Sequence, residues 1–120
     1  MYLIDSKTLS VRVFALDRKD WQDSTESTIE TKGVQPQAFR NFAYDSHNHV
    51  LGGIVDGIFY AFDVSAKAWQ SFPVVERSAS GIRIGTVWQH AIDYDPVNNV
   101  FILVSGRPGS LRTWAYRFRN

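Results

Sequence analysis

YDSHNHVLGG, residues 44–53, combines a cluster of turn-forming residues with an apolar segment that ends in two glycines. At a shift of 50 residues, the segment YDPVNNV at 94–100 matches its beginning at Tyr, Asp, Asn and Val. A second similarity relates FALD at 14–17 to YAFD at 60–63, and a tryptophan follows each of them. The same features in the same order predict internal repeats of roughly 50 residues.

The segments around these landmarks have the character of β-strands. SVRVFALD (10–17) alternates apolar and polar residues, and GIFYAFD (57–63) and WAYRF (114–118) are rich in aromatic residues. The pair at 56–57, Asp-Gly, suits a two-residue hairpin turn. The continuous apolar run NVFILVSG (99–106) predicts a strand that is buried on both faces. Because no segment has a helical period, the chain is predicted to be all-β.

Each repeat unit contains a strand, a Tyr-Asp turn, an apolar strand, an aromatic strand and a strand with tryptophan. This order resembles the blades of kelch and galactose-oxidase-like β-propellers, in which each blade has four antiparallel strands. The residues that carry the resemblance are Tyr44, Asp45, Gly52, Gly53, Tyr60, Asp63 and Trp69, followed by Tyr94, Asp95, Gly106, Trp114 and Tyr116. The resemblance implies an all-β fold of antiparallel, four-stranded, blade-like sheets that form a partial β-propeller.

The length of 120 residues indicates a single domain of such repeats, with a partial blade at 1–30, a full blade at 31–75 and a partial blade at 76–120. A closed propeller needs about four to eight blades, which is more than one chain supplies. The chain is therefore either a piece of a longer propeller or one of several copies that cover each other's apolar blade faces. We expect a homo-oligomer, with a dimer favoured.

Charge and composition limit the classes of partner. Residues 1–63 carry a net charge of −3 and residues 64–120 a net charge of +4, which suits a solvated surface or a head-to-tail contact between copies. No basic stripe or nucleic-acid-binding motif occurs, so no nucleic-acid partner is expected. The chain has no cysteine for a disulfide. Its N-terminal residues do not have a signal-peptide pattern, and its apolar runs are too short to span a membrane. The cytoplasm is the default expectation.

His47 and His49 are two residues apart, a spacing at which two side chains on one face of a strand could bind a metal ion. The repeat aligns them with Val97 and Asn99 in a connecting turn, where His, Asn and Asp are favoured for backbone reasons. We therefore expect a turn, no metal site and no cofactor, and we keep the two histidines as residual candidate metal ligands.

Signals of enzymatic chemistry are weak. Asp45 and Asp95 could form an acidic pair for glycoside hydrolysis, but their equivalent positions in the repeat favour a structural role in capping the turn backbone. The sequence contains no Walker loop, no GxGxxG or GxSxG motif and no zinc-finger spacing. This favours a protein that is not an enzyme.

The loops that precede the first strand of each unit, at 32–41 and 80–90, are better candidates for ligand binding. In the folds that the chain resembles, such loops can line a ligand face near the central axis. Arginine with tryptophan is a combination suited to a sugar or an anion; in the alternative, the tryptophan packs between blades and the arginines are solvated. The candidate residues are Gln37, Arg40, Arg83, Trp88 and His90.

Two functional hypotheses follow, besides a third in which the protein is a metal protein that uses His47 and His49. The first is a non-enzymatic interaction or ligand-binding protein built from kelch-like repeats, which self-associates to cover its open blade faces. The alternative is a fragment of a carbohydrate-active propeller enzyme or a lectin, whose ligand would be a small molecule or glycan bound by the loops at 32–41 and 80–90.

Overall fold

The computed structural model describes residues 2–5, 10–14, 26–37, 41–74, 90–106 and 109–119, and all regular structure in these ranges is β-strand. Within these ranges there is no helix that could cross a membrane. The strands are β1 (Tyr2–Ile4), β2 (Val11–Phe14), β3 (Glu26–Ile29), β4 (Ala43–Asp45), β5 (Val50–Val55), β6 (Ile58–Asp63), β7 (Ala68–Pro73), β8 (His90–Asp95), β9 (Val100–Ser105) and β10 (Arg112–Tyr116). The prediction of an all-β fold is confirmed.

The strands form three antiparallel sheets, each of which follows the order of the chain. The first sheet is β1-β2-β3, the middle sheet is β4-β5-β6-β7, and the third sheet is β8-β9-β10. Within the described ranges, the middle sheet alone has the four strands that the sequence predicts for a complete unit. Lys32 extends this sheet by one parallel bridge to Ala68 at the outer edge of β7, where the Trp69 amide donates to the Lys32 carbonyl at 2.7 Å.

Short turns of two kinds connect the strands of the middle sheet. Asp56 and Gly57 join β5 to β6, and both have positive φ angles, 49° and 77°, as a type I′ turn requires. The predicted two-residue hairpin is therefore confirmed. The β4–β5 and β6–β7 connections are four-residue turns at 46–49 and 64–67, and the β8–β9 connection at 96–99 has the same length.

One face of the middle sheet packs against the first sheet. Its aromatic side chains Tyr60, Phe62 and Trp69 are buried there together with Val11 of β2. Phe62 and Trp69 are in ring contact, with centroids 5.1 Å apart. These residues lie on the same face because side chains alternate between the two faces along each strand, and because Phe62 of β6 pairs with Trp69 of β7. This contact explains why the repeat places a tryptophan on the strand after the aromatic strand.

The opposite face of the middle sheet packs against the third sheet. Ile54 and Phe59 of the middle sheet are buried with Phe101 and Leu103 of β9. The Phe59 ring lies 5.1 Å from that of Phe101 between centroids. A side chain at Gly52 would collide with these rings, since a Cβ there would lie 2.5 Å from both of them. The first glycine of the pair therefore allows the two sheets to approach closely.

The strand that is buried on both faces is β6, not β9. Four consecutive residues of β6, Phe59 to Phe62, are buried because a sheet covers each face of the middle sheet. In β9, Phe101, Leu103 and Ser105 are buried, whereas the alternate residues are half-buried. The prediction that 99–106 is buried on both faces is thus wrong for the single chain. The residues are apolar on both faces, but a neighbouring sheet covers only one of them.

The three sheets lie in a row with the middle sheet between the other two, and the molecule is elongated as a result. Its principal extents are 50 × 30 × 29 Å, and its radius of gyration is 15.5 Å. A compact domain of this length would have a radius of gyration of about 13.6 Å. The difference follows from stacking along one direction without closure.

Candidate functional site

The turn between β4 and β5 is held by the carboxylate of Asp45. Its Oδ1 accepts the backbone amides of His47 and Asn48, both at 2.9 Å, and its Oδ2 accepts the Asn48 side-chain amide at 2.7 Å. Asp45 is completely buried. A buried carboxylate is stable only when hydrogen bonds replace its water, and these three bonds provide that replacement.

The same carboxylate arrangement occurs at two further turns. Asp95 Oδ1 accepts the amides of Val97 at 2.9 Å and Asn98 at 3.2 Å, and its Oδ2 accepts the Asn98 side chain at 2.6 Å. Asp63 Oδ1 accepts the backbone amides of residues 65 and 66. The predicted turn-capping role of Asp45 and Asp95 is confirmed, and Asp63 caps its turn through the same kind of contact. Asp17, the expected counterpart of Asp63, lies outside the described residues.

Both candidate histidine ligands lie in the first of these turns. His47 contributes its backbone amide to the turn, and His49 adopts a positive φ angle of 55°. The Nδ1 atom of His49 lies 3.0 Å from the Tyr44 hydroxyl. The equivalent pair is Tyr94 and Asn99, whose side chains are 2.9 Å apart. His49 therefore occupies a turn position that Asn fills in the next unit, as the repeat predicted.

No group of three His, Cys, Asp or Glu residues within the described ranges is arranged to hold a metal ion. Hydrogen bonds to backbone and amide groups occupy the carboxylates of this end of the molecule. The carboxylates at this end of the molecule therefore stabilise turns.

Tyr94 connects the turn of Asp45 to the third sheet. Its hydroxyl donates to Asn99 Oδ1 at 2.9 Å and is also within hydrogen-bonding reach of the Asp45 carboxylate, so its single proton serves one of these two acceptors at a time. Burial raises the pKa of Asp45, but the hydrogen bonds from Asn48, Tyr94 and His47 together outweigh burial and lower this pKa below the ordinary value. Burial, followed by the hydrogen bond and charge of Asp45, raises the pKa of Tyr94. Asp45 is therefore an anion that links two sheets.

The residues after β10 add a second link between the third and middle sheets. The Phe118 ring packs against Phe59 and Phe72, with centroid distances of 5.2 and 5.3 Å. Arg119 donates to the Gln70 side chain at 3.3 Å, and Arg117 donates to the Asn98 carbonyl at 3.1 Å. These two arginines of the basic half therefore bind groups of their own chain.

The structure describes the predicted ligand loops in part: residues 32–37 and 41 of the first loop, and His90 of the second. The first loop begins at the same end of the middle sheet as the Asp45 turn, because Lys32 bridges Ala68, which lies in one row with Asp45 and Asp63. β4 and β8 contact each other and reach the Asp45 and Asp95 turns at their C-terminal ends, so both strands begin at the opposite end. Gln37 is exposed in the loop before β4, and His90 is the first residue of β8, opposite Ser105 in the register. Arg40, Arg83 and Trp88 lie outside the described residues.

A third feature, which the sequence did not single out, is the face of the third sheet turned away from the middle sheet. The register places on it Val100, Ile102 and Val104 of β9, which are half-buried, between the exposed Ala91 of β8 and Ala115 of β10. Its centre is apolar, and the register also places Asp93 and Asp95 of β8 on this face, beside Ile102 and Val100. The signal for this face was the unbroken apolar run of β9, which a strand with one solvated face does not need.

Comparison with known proteins gives no relative: no protein family, no curated protein and no solved structure matches the chain. The functional argument therefore depends on the geometry of the sheets and of the residues described above.

Proposed function

We propose that the protein is a non-enzymatic interaction module built from kelch-like β-propeller repeats, and that it self-associates to cover its open blade faces. The middle sheet supports this proposal because it has the four-stranded antiparallel order of a propeller blade and packs against a sheet on either face. The third sheet repeats its sequence pattern but, among the residues that the structure describes, has a neighbouring sheet on one face only.

The observation that carries the proposal is a difference between equivalent residues. Val50 and Ile54 of the middle sheet are buried under the third sheet. At the shift of 50 residues, their counterparts are Val100 and Val104, which are half-buried on the outer face of the third sheet. Completing the burial of such aliphatic side chains contributes about 1 kcal/mol each. A partner on this face would therefore bury Val100 and Val104 in the way that the third sheet buries Val50 and Ile54.

Light scattering coupled to size exclusion tests the proposal. At micromolar concentration we expect a particle of twice the chain mass of 13.7 kDa. The dimer should dissociate on dilution with a concentration dependence typical of a reversible equilibrium. A monomer at micromolar concentration contradicts the proposal.

A second candidate function is ligand binding at the loop end, as in a lectin or in part of a carbohydrate-active propeller enzyme. What favours it is that β4 and β8, the strands that follow the two candidate loops, contact each other. The loop sequences before them contain Gln37, Arg40, Arg83 and Trp88, and His90 is the first residue of β8. A sugar or an anion suits this chemistry.

A glycan array followed by titration tests ligand binding. We expect the Arg83→Ala variant to lower the affinity for any retained glycan at least tenfold, because one charge-assisted hydrogen bond contributes about that factor. Arg117→Ala is the matched control and should bind as the wild type does, because Arg117 donates to the Asn98 carbonyl of its own chain. Equal binding by both variants, or no retained glycan, would contradict this second function.

A further inference from the structure

We infer that residues 31–36 form a strap which, together with Pro73, keeps the outer edge of β7 from pairing with a strand of a second copy. β7 is the last strand of the middle sheet. The edge of such a strand presents amide and carbonyl groups with which a further strand can pair. The inference goes beyond the self-association proposed above, which concerns the faces of the sheets and not their edges.

The strap crosses the edge at the beginning of β7. The Trp69 amide donates to the Lys32 carbonyl at 2.7 Å, and the Lys32 amide donates to the Lys67 carbonyl at 3.0 Å. These two bonds form a parallel bridge, in which Lys32 takes the place of a strand residue beside Ala68. The strap therefore occupies the outward amide of Trp69, which a further strand would need as a donor.

Pro73 blocks the other end of the same edge. Backbone amides along a strand point alternately to its two sides. The Trp69 amide points outward, to the strap, and the Val74 amide points inward, to the Gly57 carbonyl at 2.9 Å. The alternation places the nitrogen of residue 73 on the outward side, where proline has no hydrogen to donate. The edge of β7 thus lacks a usable donor at both of its ends.

Three features hold the strap against β7. The Gln35 side-chain amide donates to Thr31 Oγ1 at 2.6 Å, which joins the beginning of the strap to its end. The Pro36 side chain is fully buried. Gly33 has a φ angle of 87°, and a Cβ there would collide with the Trp69 carbonyl oxygen. The close approach of the strap therefore requires glycine at this position.

The composition of the edge agrees with a blocking role. β7 contains Trp69 and Phe72, and aromatic residues are favoured in paired strands. Lys32 is exposed on the strap that covers this strand. Lysine and proline are the residues with which native proteins protect sheet edges, because the one brings a charge and the other removes a donor. The outer edge of β7 has both.

Hydrogen exchange of the Trp69 amide tests whether the strap covers the edge. We expect Gly33→Ala to raise its exchange rate about tenfold or more, because the displaced strap no longer accepts its hydrogen bond. Gly109→Ala is the matched control. Gly109 also has a positive φ angle, 84°, but a Cβ there would meet no group within 4 Å among the described residues. This control should leave the exchange of Trp69 unchanged.

Thr31→Val loosens the strap in a milder way. It removes the hydrogen bond from Gln35 and leaves the contact at Gly33 as it is. We therefore expect a smaller increase of the same sign in the exchange rate of Trp69. The circular dichroism of Thr31→Val and Gly33→Ala should be that of the wild type, because neither substitution lies in a strand.

Light scattering tests whether the unblocked edge pairs with a second copy. A variant with both Gly33→Ala and Pro73→Thr should form particles of about twice the wild-type mass at the same concentration, because two such edges can pair around a twofold axis. Pro73→Thr alone should keep the wild-type mass, since the strap still occupies the Trp69 amide.

Three results would overturn the inference: unchanged exchange of Trp69 in Gly33→Ala, the wild-type mass in the double variant, or loss of the strand signal in Gly33→Ala. In the last case the strap holds the sheet together and does not merely cover its edge. None of these results affects the proposed self-association, whose test is the mass of the wild type. A monomeric wild type overturns the proposed function alone, because the strap is judged by comparing variants with the wild type.

Discussion

Replacing Phe59 by alanine should lower the free energy of unfolding by about 3–5 kcal/mol, the range for removing a buried phenylalanine. Phe59 is fully buried between the middle and third sheets. Its ring contacts Phe101, Tyr116 and Phe118, with centroid distances of 5.1, 4.4 and 5.2 Å. The variant therefore leaves a cavity lined by three rings on the neighbouring sheet. Denaturant unfolding followed by circular dichroism measures the loss.

Thr113 provides a matched position for this experiment. It pairs with Val104 as Phe59 pairs with Ile54, so it holds the corresponding place on the outer face of the third sheet. It is exposed, and Thr113→Ala should change the stability by no more than about 0.5 kcal/mol. Equal losses in the two variants would show that the sheets do not pack as described.

Asp45→Ala should cost about 1–3 kcal/mol, because it leaves buried donors without an acceptor. The variant loses the three hydrogen bonds within the turn and the bond to Tyr94. Asp95→Ala removes the same turn bonds at a position that no neighbouring sheet covers, so a smaller loss is expected. Thermal and denaturant unfolding of the two variants measures the difference.

The pH dependence gives the sign of this contribution. The folded pKa of Asp45 lies below that of an unfolded aspartate, about 3.9. The unfolded state therefore takes up a proton first as the pH falls, and the stabilisation by Asp45 is complete above the unfolded pKa. It is lost as the pH falls through the folded value. The stability of the wild type should decline more steeply with acid than that of Asp45→Ala; parallel curves would exclude a lowered pKa.

The turns were the part of the fold that could be predicted best from the sequence. Asp56-Gly57 and the aspartates at 45, 63 and 95 have local preferences that decide their backbone conformation, whatever packs around them. The same reasoning assigned His47 and His49 to a turn. Similarities at shifts of roughly 50 residues located the strands, because strands that are neighbours in sequence are also neighbours in each sheet.

Packing between sheets was harder to predict, since it depends on which faces find a partner. Apolar residues on both faces of β9 have the same pattern as those of β6, yet only β6 is covered on both sides in the single chain. Sequence patterns record which face can be buried and not what buries it. The ligand hypothesis stays a prediction, because Arg40, Arg83 and Trp88 lie outside the described residues.

The chain-ordered connectivity of the sheets has a consequence for folding. Every strand of the middle sheet pairs with a strand next to it in sequence, so each hairpin closes a short loop at a small entropic cost. Hairpins of this kind form within microseconds. The middle sheet can therefore act as a nucleus that grows one hairpin at a time, and the docking of the flanking sheets, with its longer-range contacts, is the slower step.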